Sequence, residues 1–260
     1  MATFLFDKTV FGPVKSRRLG VSLGINLLPN DRKLCSFDCI YCECGWNPSP
    51  QTGKPVLPSR RQVYDSLEQK LLQMVAENEL PDVITFAGNG EPTLHPQFGA
   101  IIDDTISLRD KLAAGARIAV LSNSTMLHKK TVIEALKKVD DNILKLDSGI
   151  SETVRLINAP VGHFSFEKMV NQLIAFQGRM IIQSMFVRGE YRGQPFDNTT
   201  EPELEAWMEL LRLINPSKIM VYTIDRDTPL NTLQKVGEAE LLSIATKVRN
   251  QLHIKVEVSG

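Results

Sequence analysis

The sequence predicts an α/β fold, an open, partial (β/α)6 barrel with parallel strands, in one domain spanning residues 1–260. Three observations predict it. Short apolar runs of strand length alternate with longer segments whose apolar residues recur at helical spacing. About six such strand–helix units can be counted, fewer than the eight of a closed barrel. No internal repeat, low-complexity tract or composition shift marks a domain boundary.

In chain order, the apolar residues of Val21 to Leu28 alternate with Ser and Gly before Pro29, which reads as a first strand after an N-terminal arm. Asn47 to Pro58 carries four prolines and a glycine and reads as a loop. Ser59 is placed as a helix N-cap, with Gln62 three residues on completing a capping box. Val63, Leu67, Leu71 and Met74 then give that helix one buried face. Further strands are expected at Val83–Ala87, Ile118–Leu121, Ile143–Leu146, Met180–Val187, Ile219–Thr223 and Lys255–Val258. The helices between them fall at Phe98–Leu112, Thr131–Val139, Phe166–Phe176, Pro202–Ile214 and Glu238–Leu252. Alternation of this kind implies βαβ units, a parallel sheet and right-handed crossovers.

With 43% hydrophobic and 23% charged residues and a formal net charge of zero, the composition is that of a globular protein. The neutral balance gives no general pull toward nucleic acid, though Arg17–Arg18, Arg60–Arg61 and Lys129–Lys130 are local basic pairs. No apolar run approaches the roughly 20 residues of a membrane span, and Asp7 and Lys8 interrupt the N-terminal segment where a secretory signal would lie. Reduced thiols fit the cytoplasm, which is the expected location.

All four cysteines fall in Cys35-Ser-Phe-Asp-Cys39-Ile-Tyr-Cys42-Glu-Cys44. Such crowding in an otherwise cysteine-free chain points to a metal site rather than a disulfide framework. Zinc motifs come as two separated pairs, and neither a second pair nor a nearby histidine is present. A loop presenting three or four thiolates to one object suits an iron–sulfur cluster. Read from the residues alone, a four-cysteine electron carrier or redox sensor and a small structural zinc loop both stay open, and Cys44 discriminates between closed and open ligation. In parallel α/β folds the site gathers at the C-terminal ends of the strands. There the cysteine loop meets Gly88-Asn89-Gly90-Glu91-Pro92, Ser122-Asn123-Ser124 and Asp147-Ser148.

The spacing C-x3-C-x2-C, with the aromatic Tyr41 before the third cysteine, resembles the radical S-adenosylmethionine (SAM) superfamily. The resemblance implies a partial barrel and a [4Fe–4S] cluster on Cys35, Cys39 and Cys42, with SAM on the fourth iron. It also implies reductive cleavage of SAM to methionine and a 5′-deoxyadenosyl radical that takes hydrogen from a substrate. A reductant such as flavodoxin or ferredoxin is the implied partner, and no membrane is involved. Gly88-Asn89-Gly90-Glu91 resembles the family's Gly-Gly-Glu motif, with an Asn as the departure, and implies that Glu91 meets the SAM ammonium. Asn123, Asp147, Gln183 and Met185 fall where the family contacts SAM, and Tyr41 where it shapes the adenine side. Phe11-Gly-Pro-Val-Lys-Ser-Arg-Arg-Leu-Gly20, with Gly24-Ile25-Asn26 and Thr228-Pro229, is similar to a branch that includes the wyosine-type tRNA-modifying enzymes. Those members hold a further cluster on upstream cysteines that this sequence lacks. Arg188, Tyr222, Asp225 and Arg226 lie on the substrate rim without assigned roles. The catalytic residue toward substrate is unknown, and an RNA base, a peptide or protein side chain and a small metabolite are all open as substrate.

Overall fold

The computed structural model describes residues 4–16 and 20–259. Arg17 and Arg18, one of the basic pairs, and Leu19 lie outside them. The parallel strands are β2 (Gly20–Ile25), β3 (Val83–Phe86), β4 (Arg117–Ser122), β5 (Asp141–Lys145), β6 (Ile181–Met185), β9 (Lys218–Tyr222) and β11 (Val256–Ser259). They pair in the order β2-β3-β4-β5-β6-β9-β11, and β1 (Val10–Ser16) adds an antiparallel edge to β2. Among the described residues β1 and β11 do not pair, so the sheet curves without closing.

The central parallel strands, β3 to β6 and β9, are buried on both faces, which is why they read as apolar runs. Val83, Ala119, Ile143, Ile181 and Met220, one from each of five neighbouring strands, form an inner layer. The alternate residues, including Ile84, Phe86, Ile118, Val120, Leu144 and Ile182, face the helices and join the main core. Those helices are α1 (Arg60–Glu77), α2 (Phe98–Leu112), α3 (Lys130–Leu136), α4 (Ser151–Asn158), α5 (Phe166–Ile174), α6 (Glu201–Ile214) and α7 (Glu238–Leu252). The predicted capping box forms: the Ser59 hydroxyl accepts from the Gln62 amide, and the Gln62 side chain accepts from the Ser59 amide. Among the described residues no helix is long and apolar enough to cross a membrane.

The α/β partial-barrel class agrees with the sequence reading, and five details differ, one of them the unexpected helix α4 between β5 and α5. The N-terminal arm contributes the strand β1. The first parallel strand stops at Ile25, where the Asn26 side chain turns the chain by bonding to Leu28 and Asn30. The run Met180–Val187 breaks after Met185 and continues as β7 (Val187–Tyr191), which folds back on β8 (Gln194–Asp197). The hairpin loop is Arg192-Gly193 with φ of +53° and +74°, a two-residue turn whose arginine gives little sequence signal. A short strand β10 (Gln234–Lys235) pairs with β7, giving a three-stranded sheet that lies over the cysteine loop through Val187, Tyr191, Phe196 and Leu233.

One side chain ties the helix layer to the mouth of the barrel. Trp207 on α6 is 1% exposed, sits edge-on to Phe186 with ring centroids 5.2 Å apart, and donates to Leu146 O at 3.2 Å and Ser184 Oγ at 3.0 Å. Trp207→Ala is expected to cost about 3–5 kcal/mol, lowering Tm by roughly 6–20 °C in a chain of this size. A thermal melt followed by far-UV circular dichroism checks it.

Candidate cluster and cofactor site

The segment between β2 and α1 crosses the mouth of the barrel and is sewn down on both sides. On one side Leu34 donates to Asn89 O at 2.9 Å, and the Glu91 amide donates to Leu34 O at 3.1 Å. A Cβ on Gly90 would stand 1.9 Å from that carbonyl oxygen, and φ at Gly90 is +139°, so glycine is required there by the loop itself. On the other side Asp38 donates to Ala159 O at 2.9 Å and Ile40 to Ile157 O at 3.0 Å. Phe37 and Ile40 are buried against Ile157 at the end of α4.

The base of the loop is closed by Asn47, which accepts from the Cys35 amide and donates to the Cys35 carbonyl, at 2.9 and 3.0 Å. Asn47 also donates twice to Asp38 Oδ1, at 2.7 and 2.9 Å. Beneath it the buried Lys33 ammonium bonds Gly45 O at 2.8 Å and Asp38 Oδ1 at 3.2 Å. Burial opposes its charge, but the thiols of Cys42, Cys35 and Cys39 and the Asp38 carboxylate outweigh that and raise its pKa.

N–H groups point at the sulfurs. The Phe37 amide and Asn123 Nδ2 each lie 3.4 Å from Cys35 Sγ, and Asn158 Nδ2 lies 3.5 Å from Cys39 Sγ. Burial pushes the Cys35 and Cys39 thiols up, because nothing in the apolar mouth solvates a thiolate. Cys42 is lowered to about 6, first by a hydrogen bond from the Cys44 thiol and then by Lys33. Cys44 is correspondingly raised, and its thiol also faces Gly88 O at 3.5 Å.

Glu91 is buried, yet every oxygen is occupied. Oε1 accepts from the Thr93 amide at 3.1 Å, the Thr93 hydroxyl and Ser122 Oγ at 2.9 Å, while Oε2 accepts from the Asn123 amide at 2.6 Å. Burial raises its pKa against these bonds. Opposite, Asp147 accepts from the Tyr41 hydroxyl, from Asn158 Nδ2 at 2.7 Å, from Lys145 Nζ at 3.1 Å and from the Met185 amide at 2.9 Å. Burial, then the Asp147 charge, raises the Tyr41 phenol well above its usual value. Burial opposes the charge on Lys145, but Asp147, Tyr222 and Cys39 together outweigh it and raise that pKa too.

Residues 33–180 match the Radical SAM superfamily. The chain belongs to that superfamily. It is a radical SAM enzyme, and membership implies an iron–sulfur cluster and SAM. It is 33% identical over 227 residues to a UPF0026 protein from Synechocystis, covering 85% of this chain and 77% of that protein. A UPF0026 protein from Methanocaldococcus jannaschii is 31% identical over 246 residues, covering 93% and 71%. A protein named GTPase Obg from Brachyspira hyodysenteriae is 31% identical over 258 residues, and the chain spans 35% of its length. Among solved structures, TYW1 with a lysine–pyruvate adduct bound superimposes with a TM-score of 0.62 at 17% identity, covering 88% of this chain and 73% of that one. A radical SAM methyltransferase from Sphaerobacter thermophilus gives 0.67 at 12% identity, covering 92% and 65%. At these identities the likeness is one of fold, and it is the partial barrel.

The donor set of this radical SAM enzyme fits a cluster. Soft thiolates are the ligands iron–sulfur centres take, and amide N–H groups aimed at their sulfurs tune such centres. Among the described residues no three His, Cys, Asp or Glu side chains converge as ligands of a single metal ion would. The structure brings Cys35, Cys39, Cys42, Tyr41, Glu91, Asn123, Asp147 and Met185 to one mouth. Gln183 is buried on the same strand face as Met185. Gly88 and Gly90 serve that mouth through close packing, since a Cβ on Gly88 would stand 2.4 Å from Asn26 Oδ1. The Asn89 side chain turns the other way, exchanging hydrogen bonds with the Phe6 backbone at 2.8 Å and donating to Pro29 O at 2.8 Å. Arg188 pairs with Asp197 and Glu240, bracing the hairpin, and Arg226 reaches Glu43 at 2.8 Å across the top of the loop. Lys33, Lys145 and Asn158 went unread in the sequence. Lys145 and Asp147 stand two apart, a spacing that puts both on one strand face. Asn158 lies on the unpredicted α4.

The bonding of Glu91 yields a test. An amide in its place directs an NH2 group at either the Asn123 or the Thr93 backbone N–H, whichever way it is turned. Glu91→Gln is therefore expected to lose about 1–3 kcal/mol, roughly 2–12 °C in Tm. Differential scanning calorimetry measures it; an unchanged Tm would mean the carboxylate is not the clamp described here.

Proposed function

We propose that Cys35, Cys39 and Cys42 hold a [4Fe–4S] cluster with an open iron, on which SAM is cleaved reductively to methionine and a 5′-deoxyadenosyl radical that abstracts hydrogen from substrate. The observation that carries this reading is the division among the four cysteines. Cys35 and Cys39 receive N–H groups from Asn123 and Asn158 inside the mouth, and Cys42 follows them in the same turn. Cys44 faces a carbonyl of the glycine turn. Three protein ligands leave one coordination position for chemistry. A closed electron carrier needs the fourth thiolate, and the Cys44 thiol is turned instead to Gly88 O, at 3.5 Å.

The chain's own residues supply orientation and exclusion of water. The loop and the three-stranded sheet roof the thiols. The turn Gly88–Glu91 is the place for the methionine part of SAM, with contact made by backbone groups because the Glu91 carboxylate is engaged in holding the turn. Asn123, Asp147, Gln183, Met185 and Tyr41 form the rest of the proposed cofactor wall. A one-electron reductant such as flavodoxin or ferredoxin supplies the electron. Substrate is proposed to approach over the loop edge, beside a groove of about 840 Å³ lined by Trp46, Arg155, Tyr191 and Arg192. There Trp46 stacks on Tyr191 at 6.1 Å and Arg192 lies over the Tyr191 ring.

Anaerobic reconstitution with iron and sulfide, then addition of dithionite and SAM, is expected to give a brown protein that forms 5′-deoxyadenosine. Cys35→Ser, Cys39→Ser and Cys42→Ser should each lose iron and product together, whereas Cys44→Ser should keep both. Loss of the cluster in Cys44→Ser to the same degree as in the other three would put the electron-carrier reading ahead.

A further inference from the structure

We propose that the recess beside Ser36 and Phe37 is the docking face for the electron donor, an acidic electron-carrier protein of the flavodoxin kind. The proposal rests on the assignment of the cluster to Cys35, Cys39 and Cys42. The recess has a volume of about 460 Å³ and lies on the flank of the cysteine loop, between the turn after β4 and the segment joining α4 to α5. Its apolar wall includes Phe37, Phe164 and Met169, with the Phe37 and Phe164 rings edge-to-face at 5.3 Å. Val161 also lines it and is 51% exposed.

Two features select this face. The first is its connection to Cys35. Phe37 points its amide at Cys35 Sγ from 3.4 Å. Ser36 Oγ and Thr125 Oγ1, both lining the recess, lie 2.6 Å apart. Asn123 Nδ2 then links Ser36 Oγ, at 2.9 Å, to Cys35 Sγ, at 3.4 Å. Electron tunnelling falls steeply with distance and passes better through bonds and hydrogen bonds than across gaps. A donor seated here is joined to the first ligand by a chain of short contacts.

The second feature is charge. Lys168, His128 and His163 line the recess and no carboxylate does, and the basic pair Lys129–Lys130 follows His128 in the chain. Glu167, beside Lys168, does not line it. The groove at Trp46 shares Val161 but sets Asp38 and Glu152 against Arg155 and Arg192, so its charge is mixed. A surface of one sign steers an oppositely charged partner and fixes its register. The basic recess therefore suits a donor with an acidic rim, and the mixed groove is left for substrate. Transfer moves one electron: the reduced flavin of the carrier is oxidised by one, the cluster is reduced by one, and no bond of the chain is made or broken.

The test uses the full chain and a flavodoxin of net negative charge. Iron content and dithionite-driven formation of 5′-deoxyadenosine come first; they judge the cluster assignment and need no docking face. Flavodoxin binding is then titrated on both reconstituted and iron-free protein, and product formation is driven by reduced flavodoxin. Lys168→Glu/His163→Glu and His128→Glu place negative charge on the two walls at exposed positions. Lys111→Glu is the control for net charge, since this exposed lysine closes α2, which ends where β4 begins at the foot of the barrel. The double variant is expected to weaken flavodoxin binding, and to slow the flavodoxin-driven rate at limiting flavodoxin, by about tenfold or more. His128→Glu should act in the same direction, with iron content and the dithionite-driven rate unchanged in both. Wild-type binding should weaken as ionic strength rises. The proposal is overturned if the double variant binds flavodoxin as the wild type does, if Lys111→Glu weakens binding equally, or if the dithionite-driven rate falls by the same factor. A wild type active with dithionite that neither binds flavodoxin nor accepts its electrons overturns it as well.

Discussion

The backbone of Leu34 lies against the backbone of Gly90 with no room for a side chain between them, and the architecture of the mouth depends on that contact. It fixes the residue before Cys35 relative to the end of β3. From the same turn, Glu91 reaches across to the end of β4 through Ser122 and Asn123, and Asn123 returns an N–H to Cys35. Two strand ends and the first cysteine are therefore held in one hydrogen-bonded circuit. The glycines are needed because two backbones touch, and the buried carboxylate is tolerated because four donors meet it. The same circuit gives the Gly-Asn-Gly-Glu turn a structural task before any ligand arrives. A cofactor contact at this turn is a second demand placed on residues already committed.

Charge in the mouth is arranged in two layers. Outside the loop, Lys33 and Asp38 tie its ends; inside, Lys145 and Asp147 close round the Tyr41 hydroxyl and Asn158. Isolated, any of these charges would be costly in so dry a place. Paired, both cations oppose the desolvation that raises the Cys39 thiol without overcoming it. The lowered Cys42 and the raised Cys35 and Cys39 express the same balance, with hydrogen bonding winning at one sulfur and desolvation at the other two.

The strand–helix alternation was legible because parallel strands buried on both faces read as apolar runs, and because helices such as Phe98–Leu112 carry strong periodicity. The cysteine loop was legible from spacing alone. What the sequence concealed has local causes. Helix α4 is a second helix in the crossover from β5 to β6, where strand–helix alternation expects one and α5 supplies it, so Asn158 stays hidden with it. The hairpin turns on Arg192-Gly193, a pair without the asparagine or aspartate that marks such turns. Glu91 reads as an anion for a ligand, and the sequence does not reveal that Ser122, Asn123 and Thr93 also converge on it. The Asn89 side chain holds Phe6, a partner 83 residues away in the chain that no local pattern announces.

The span of the superfamily match divides the contacts of the mouth into two sets. The superfamily match runs from Lys33 to Met180, from the cation under the loop to the residue before β6. Everything that holds the thiols on the β3, β4 and α4 sides lies inside that span. The roof lies outside it: the hairpin of β7 and β8, the strand β10 and the segment carrying Arg226. These elements touch the loop through side chains, as Val187, Tyr191 and Leu233 do in the apolar layer and as Arg226 does on Glu43. Side-chain contacts can be exchanged without moving the backbone circuit at Leu34 and Gly90. The groove at Trp46 and Tyr191 opens where the loop and the hairpin meet.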